Sequence, residues 1–198
     1  MTESRRQRKK EETRKKIIEA AADLFRRQGF ANTAVDQITE AADVGKGTFY
    51  NYFETKEAVV TAFIDEESQA YMQSLQMVML LPGTEQRLKA VMIESARWVE
   101  ANPELMRIDV AYRTHRNLGH PEYLESDGLW NLVCQLLTFG QQAGDIRDDQ
   151  AVLELATYFY GLLSGVLIAW FDWPAGLSLG ERMERMVEFF INGAGAKK

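Results

Sequence analysis

Along most of this chain apolar residues recur three or four positions apart, and no alternating stretch bounded by hairpin turns interrupts them. That period belongs to helices with one buried face, so the expected fold is all-α. Ile17, Ile18, Ala21, Leu24 and Phe25 form the inner face of a helix over 13–28, and Gly29 is placed to end it. Val35, Ile38 and Ala42 mark a short second helix, for which Thr33, with Asp36 three positions on, has the spacing of a hydroxyl cap and a following acid. The stretch 44–57, VGKGTFYNYFETKE, then packs a glycine turn, a third short helix and a new helix start into a few residues. Gly45 supplies the backbone freedom of the turn, and Val44, Phe49 and Phe53 can point back into one small core. Thr55 can cap a long helix over 56–80, whose Val59, Val60 and Phe63 would close that core.

Pro82-Gly83 breaks the long helix, and a helix over 84–101 follows, ended by Asn102-Pro103. Pro103 opens the next, which runs to about Thr114 and gives way to a polar loop over 115–120. A seventh helix is expected over 121–143 and a turn over 144–148. Two more helices are expected over 149–172 and 179–192, separated by 173–176. The domain reading is a basic arm and helix-turn-helix unit over 1–56, joined to a larger helical unit over 57–198.

Charge divides the chain in the same place. Of 198 residues 46% are hydrophobic, enough for a buried core, and the net charge is −6. Up to Lys56 there are 12 basic against 9 acidic residues (+3), and beyond it 11 against 20 (−9). The run over 5–16 contributes Arg5, Arg6, Arg8, Lys9, Lys10, Arg14, Lys15 and Lys16, which suits either a solvated tail or a polyanion contact. One cysteine, Cys134, excludes an intramolecular disulfide, and the polar first sixteen residues lack the apolar centre of a signal peptide, so a cytoplasmic protein is expected. The uncharged run over 155–171 falls short of a membrane span and reads as a buried helix, with no membrane association.

The face of the third helix opposite Phe49 and Phe53 carries Lys46, Gly47, Thr48, Tyr50, Asn51 and Tyr52. These cationic, small and planar side chains suit phosphate oxygens and base edges. Lys46 stands at the helix start, where exposed amides also attract phosphate, and Asn51 has the two-bond chemistry for adenine. Tyr50 and Tyr52 could instead pack across the small unit.

The segment TAVDQITEAADVGKGTFYNYFETKEAVV resembles the TetR family of transcriptional regulators, over residues 13 to about 63. The resemblance implies three N-terminal helices that bind a double-stranded DNA operator, a helical effector pocket, and two last helices that pair in a homodimer. It also implies that Lys46, Tyr50, Tyr52 and Lys56 hold phosphates while Gly47, Thr48 and Asn51 approach bases. Thr33 is a plain cap or a phosphate ligand. No cofactor is expected.

For the homodimer, Gly161, Gly165 and Ala169 fall four apart in the penultimate helix, with Leu162, Val166 and Phe171 around them. Met183, Met186, Val187, Phe190 and Ile191 form a stripe on the last helix, read as a matching interface or as an internal core. The middle helices carry Met92, Trp98, Met106, Tyr112, Trp130, Phe139 and Tyr158, with polar handles at Arg97, Arg113, His115 and Gln135. Such a lining suits a small apolar or aromatic effector, although each aromatic is also a candidate core residue. Arg97 and Arg113 could meet an anionic ligand or pair with Glu94, Glu100 or Asp109.

The expected function is a ligand-responsive, sequence-specific regulator, a repressor released from a palindromic operator when effector binds, with the long helix from Lys56 as lever. Alternatives are a ligand-relieved activator and a metal-responsive regulator using His115, His120, Glu122 and Cys134. An enzyme is disfavoured, because two histidines and one cysteine stand in no catalytic motif. A sequence-indifferent architectural DNA binder sits poorly with the acidic larger part of the chain.

Overall fold

The computed structural model describes residues 5–117, 128–173 and 176–194. They form α1 (Arg5–Gln28), α2 (Val35–Ala41), α3 (Lys46–Tyr52), α4 (Lys56–Ser74), a 3-10 segment (Leu75–Leu80), α5 (Thr84–Ala101), α6 (Pro103–Asn117), α7 (Gly128–Ala143), α8 (Val152–Asp172) and α9 (Leu179–Ala194). The fold is all-α, as the apolar period requires. The chain parts into two compact units, Met1–Glu66 and Glu67–Lys198. The first runs past Lys56 because Val59, Val60 and Phe63, on the opening turns of α4, are buried with Ile17, Ile18, Ile38 and Phe49.

Several element boundaries differ from the sequence reading, each for a local reason. α1 starts at Arg5 rather than Thr13, with ion pairs Arg8–Glu12 and Lys15–Glu19 one helical turn apart and Arg14 bonded to Glu66 at 2.8 Å. Gly29 ends α1 at φ 79°, its N–H donating to the Phe25 carbonyl. Thr33 is not the cap of α2. That position is Ala34, whose N–H donates to the Gln37 side chain at 2.8 Å. In the turn before α3 the left-handed residue is Asp43, at φ 54°, and Gly45 is extended at φ −76°. Aspartate tolerates the left-handed region better than most residues, so the turn does not depend on Gly45. Thr55 does cap α4, its hydroxyl accepting from the Ala58 N–H. The long helix tightens into the 3-10 segment at Leu75. α6 continues through His115 to Asn117, and the expected loop over 118–120 and helix start at Pro121 lie outside the described residues.

In the second unit α5 packs most extensively on α9 and also meets α7. Leu88, Val91, Met92, Ala96 and Val99 of α5 are buried, as are Met183, Met186, Val187 and Phe190 of α9. The Phe190 ring meets Phe159 of α8 edge to face at 5.1 Å. Lys89 bridges Glu85 and Glu188 at 2.9 and 2.7 Å, which ties α5 to α9 at the rim of that contact. Gly140 lets α7 approach the start of α5, since a Cβ there would lie 2.5 Å from Ile146 Cγ1 and 2.6 Å from Thr84 Oγ1. Asp145 completes the junction by accepting from both the N–H and the hydroxyl of Thr84, so a carboxylate remote in sequence caps α5.

α8 is long and apolar enough, by length and composition, to cross a membrane, and 28% of its most apolar window is buried within the chain. The sequence reading expects a buried helix. Instead one face, with Leu155, Phe159, Leu163 and Leu167, is buried, and Tyr158, Gly161, Gly165, Ile168 and Ala169 are exposed.

Candidate nucleic-acid interface

The first unit exists to hold α3 by one side. Phe49 is fully buried and Phe53 nearly so, which anchors the middle of α3 and its C-terminal cap in the core formed with α1, α2 and α4. Helical periodicity then turns the remaining residues outward. Lys46, Gly47, Tyr50 and Asn51 are exposed, and Thr48 and Tyr52 are half-buried. Tyr50 leans edge-on against Phe49 at 5.3 Å yet keeps 53% of its surface, so it is a surface residue with a fixed ring rather than a core residue.

Two features bear on what this surface can bind. A Cβ at Gly47 would meet nothing within 4 Å, so packing within the fold does not require glycine there. Glycine in a helix costs up to about 1 kcal/mol relative to alanine, and its remaining advantage is close approach of another molecule to the backbone. Lys46 reaches back to α2 and pairs with Asp36 at 2.6 Å. The hydrogen bond to Asp36, then its charge, raises the Lys46 pKa, so the ammonium stays protonated. Asp36 was legible only as a helix-start acid, because nothing in the local sequence shows that α2 and α3 bring it to Lys46.

Two residues expected at this surface bond within the fold. Thr33 is 2% exposed, and its hydroxyl donates to the Gly29 carbonyl at 2.8 Å while accepting from Gln28. Its hydroxyl is thus engaged within the fold. Lys56 donates to the carbonyl oxygens of Phe30 and Thr33 at 2.6 and 2.7 Å, with its nitrogen 4.0 Å from the Phe30 ring centre. The ammonium thus pins the α1–α2 connection to the start of α4, satisfying two carbonyls that no helix ladder reaches.

The residues expected to line a cavity in the second unit separate into two sets. Met92, Met106 and Trp130 are buried, Trp98 and Tyr112 are half-buried, and Arg113 grips the 3%-exposed Asp109 through two 2.9 Å bonds. Trp130 also meets Tyr160 edge to face at 5.0 Å. Phe139 and Tyr158 do not belong with them. They are 44% and 52% exposed, on α7 and α8 respectively. Arg97 is exposed and pairs with Glu94, and Gln135 is exposed. Cys134 is partly covered, and burial raises its thiol pKa.

The expected interface stripe on α9 is corrected in the same way. Met183, Met186, Val187 and Phe190 all face α5 and α8, because an amphipathic helix buries its apolar stripe first against its own chain. The residues α9 leaves outside include Arg185, Glu188 and Phe189, the last 71% exposed. Gly161, Gly165 and Ala169 on α8 do lie open, and a Cβ at either glycine would meet nothing within 4 Å; Val166 is half-buried beside them. Among the described residues no group of three or more His, Cys, Asp or Glu could hold a metal ion. His120 and Glu122 lie outside those residues.

A three-helix unit with a short, solvent-facing third helix, followed by an all-helical second unit, defines a helix-turn-helix protein of two-part helical build. Residues 17–63 match the family of bacterial regulatory proteins, tetR family, which the chain resembles over that segment. The chain is 37% identical over 86 residues to the HTH-type transcriptional regulator TcmR of Streptomyces glaucescens, a stretch that covers 43% of this chain and 37% of that relative. It is 21% identical over 180 residues to the fatty acid metabolism regulator protein of Bacillus subtilis (strain 168), covering 89% and 93% of the two chains. The same fold is present in Thermus thermophilus FadR, a TetR-family transcriptional repressor solved in complex with lauroyl-CoA, with a TM-score of 0.80 and 21% identity over 93% of this chain and 96% of that one.

Proposed function

We propose that the chain is a ligand-responsive, sequence-specific transcriptional regulator, which binds a palindromic operator as a homodimer and is released by an apolar or aromatic effector. The observation that carries the DNA-reading part is the outer face of α3, where Gly47, Tyr50 and Asn51 are exposed and the fold itself gives no reason for Gly47. Lys46, Thr48 and Tyr52 flank them. In this reading Lys46 and the tyrosine hydroxyls position the duplex, while Asn51 and the open backbone at Gly47 read base edges. A helix of seven residues spans few base pairs, so twofold pairing on two half-sites supplies the missing affinity.

The open small residues of α8, Gly161, Gly165 and Ala169, with Val166 at their flank and Phe189 of α9, support a homodimer face where helices approach closely. Met92, Met106, Trp98, Tyr112 and Trp130, with the buried Asp109–Arg113 pair, support an apolar effector site with one polar end in the second unit. Lauroyl-CoA, bound in the Thermus thermophilus FadR structure, likewise joins an apolar chain to a polar group. α4 starts in the DNA-reading unit and continues into the second, so an effector that favours one setting of α4 must change operator affinity by the same coupling, about 1–3 kcal/mol. Repression follows if the effector-bound setting misplaces the two α3 helices.

The test is selection of bound duplexes from a random pool at near-physiological salt, with the wild-type chain, Asn51→Ala and Tyr50→Phe. A palindromic consensus that relaxes at one position in Asn51→Ala is the expected result. Absence of enrichment for the wild-type chain would overturn operator binding.

A further inference from the structure

One side chain of α1 touches both α4 and the end of α3. Arg14 Nη1 donates to Glu66 Oε1 of α4 at 2.8 Å, across 52 positions of sequence. Its guanidinium carbon also lies 5.5 Å from the ring centre of Phe53, where the chain leaves α3. The Phe53 ring stands 6.0 Å from that of Phe49, the fully buried anchor of α3, and the Phe53 N–H donates to the Phe49 carbonyl at 2.9 Å. The contacts therefore run without a break from Glu66 through Arg14 and Phe53 to Phe49. Stability gives little reason for the outer part of this chain of contacts. Arg14 and Glu66 are both part-exposed, and an ion pair open to solvent and salt adds little to folding. The buried Ile17, Ile18, Val59, Val60 and Phe63 already supply the packing of α1 and α4. Glu66 is instead notable for its place, since it closes the first unit and α4 continues from it into the second.

From these contacts we infer that Arg14 is a positioning residue for operator reading. It carries the setting of α4 at Glu66 through Phe53 to α3, so that α4 governs the pose of the reading helix within each subunit. The inference rests on the operator-binding reading above. It is separate from the spacing of the two α3 helices in a homodimer, because the relay lies wholly within residues 14–66 of one chain. Phe53 caps the end of α3 that carries Asn51 and Tyr52, so a shift of its ring tilts those residues first. Hydrogen bonds to base edges weaken steeply when misaligned, whereas contacts to phosphates carry no sequence information. The relay therefore acts on base preference more than on general affinity for DNA.

The test is binding of the full chain to its selected consensus and to a random duplex over a salt series, with Glu66→Gln, Arg14→Gln, Arg14→Lys and the double variant Arg14→Gln/Glu66→Gln. Charge alone makes Glu66→Gln bind both duplexes more tightly, since the lost carboxylate repels phosphate. The relay gives the opposite sign for the consensus, which Glu66→Gln should bind about three- to fivefold more weakly, the upper end of what such a pair contributes. The random duplex should be bound at least as tightly as by the wild-type chain. Selection with Glu66→Gln should return the same half-site spacing with relaxed base preference inside each half-site. The double variant should bind the consensus no more weakly than Arg14→Gln, because both changes remove one contact. Arg14→Lys, which keeps the ion pair, should stay near wild type. Consensus binding by Glu66→Gln equal to or tighter than wild type overturns the relay alone, as does a new half-site spacing with base preference intact. A salt slope flattened by about 0.9 in Arg14→Gln makes Arg14 a phosphate ligand and likewise overturns it. A wild-type chain that binds no duplex overturns both readings.

Discussion

Lys46 Nζ lies 2.6 Å from Asp36 Oδ1, so the cation that opens α3 is held by an acid of the preceding helix. Both side chains are mostly exposed, so solvent and salt screen the pair and it holds Lys46 only weakly. A phosphate at Lys46 must compete with this carboxylate, and the carboxylate itself repels the duplex. Asp36→Asn is therefore expected to bind the operator up to about fivefold more tightly and to steepen its salt dependence by about 0.9. Weaker binding in an anisotropy titration would show instead that Asp36 is needed to aim Lys46.

Lys56 gives a prediction of a different kind, because its two carbonyl partners make it part of the fold. Lys56→Met leaves the carbonyls of Phe30 and Thr33 without that donor and should lower stability by about 2 kcal/mol. Operator affinity should fall with it as the α1–α2 connection loosens. Denaturant unfolding separates the roles, since a midpoint equal to wild type with a flatter salt slope would restore Lys56 to the phosphates.

Gly47→Ala should move stability and binding in opposite directions. With no atom within 4 Å of the new Cβ, the helix gains up to about 1 kcal/mol, while a duplex backbone or base edge at that position is pushed away. A raised or unchanged unfolding midpoint with at least about tenfold weaker operator binding is expected. Unchanged binding would remove Gly47 from the interface.

At Gly140 the sign reverses, for a reason internal to the second unit. A Cβ 2.5 Å from Ile146 and 2.6 Å from Thr84 must push the start of α5 away from α7 and disturb the Asp145 cap. Gly140→Ala should destabilise by about 1–3 kcal/mol, read as a lowered unfolding midpoint.

Phe189 is 71% exposed on α9 and makes no part of the core that Phe190 fills. Phe189→Lys should leave the helical content unchanged and shift the chain towards a monomer in sedimentation equilibrium, with operator binding reduced accordingly. A wild-type association constant would take Phe189 out of the homodimer face.

The first unit was largely legible because its signals are local. The Thr55 cap, the Gly29 stop and the apolar spacing of Ile17, Ile18, Ile38 and Phe49 each act within a few residues, and the structure uses all of them. What stayed open there were side chains with two chemically sound uses. Thr33 and Lys56 could serve a phosphate or a carbonyl, and only the approach of α1, α2 and α4 supplies the carbonyls. The positive φ expected at Gly45 is taken by Asp43, two residues earlier, since sequence shows that a turn exists but not which residue takes the positive φ.

By itself the sequence determined the helical class, the order of the helices, and which side of α3 is inner, because those follow from apolar period and backbone chemistry along a single element. Tertiary structure alone decided which apolar stripe meets which. Met183, Met186, Val187 and Phe190 read equally well as a surface for another subunit, and α5 claimed them, leaving the small residues of α8 and the ring of Phe189 outside. An amphipathic pattern fixes that a face will be buried, whereas the identity of its partner depends on contacts between residues nearly a hundred positions apart, such as Lys89 and Glu188.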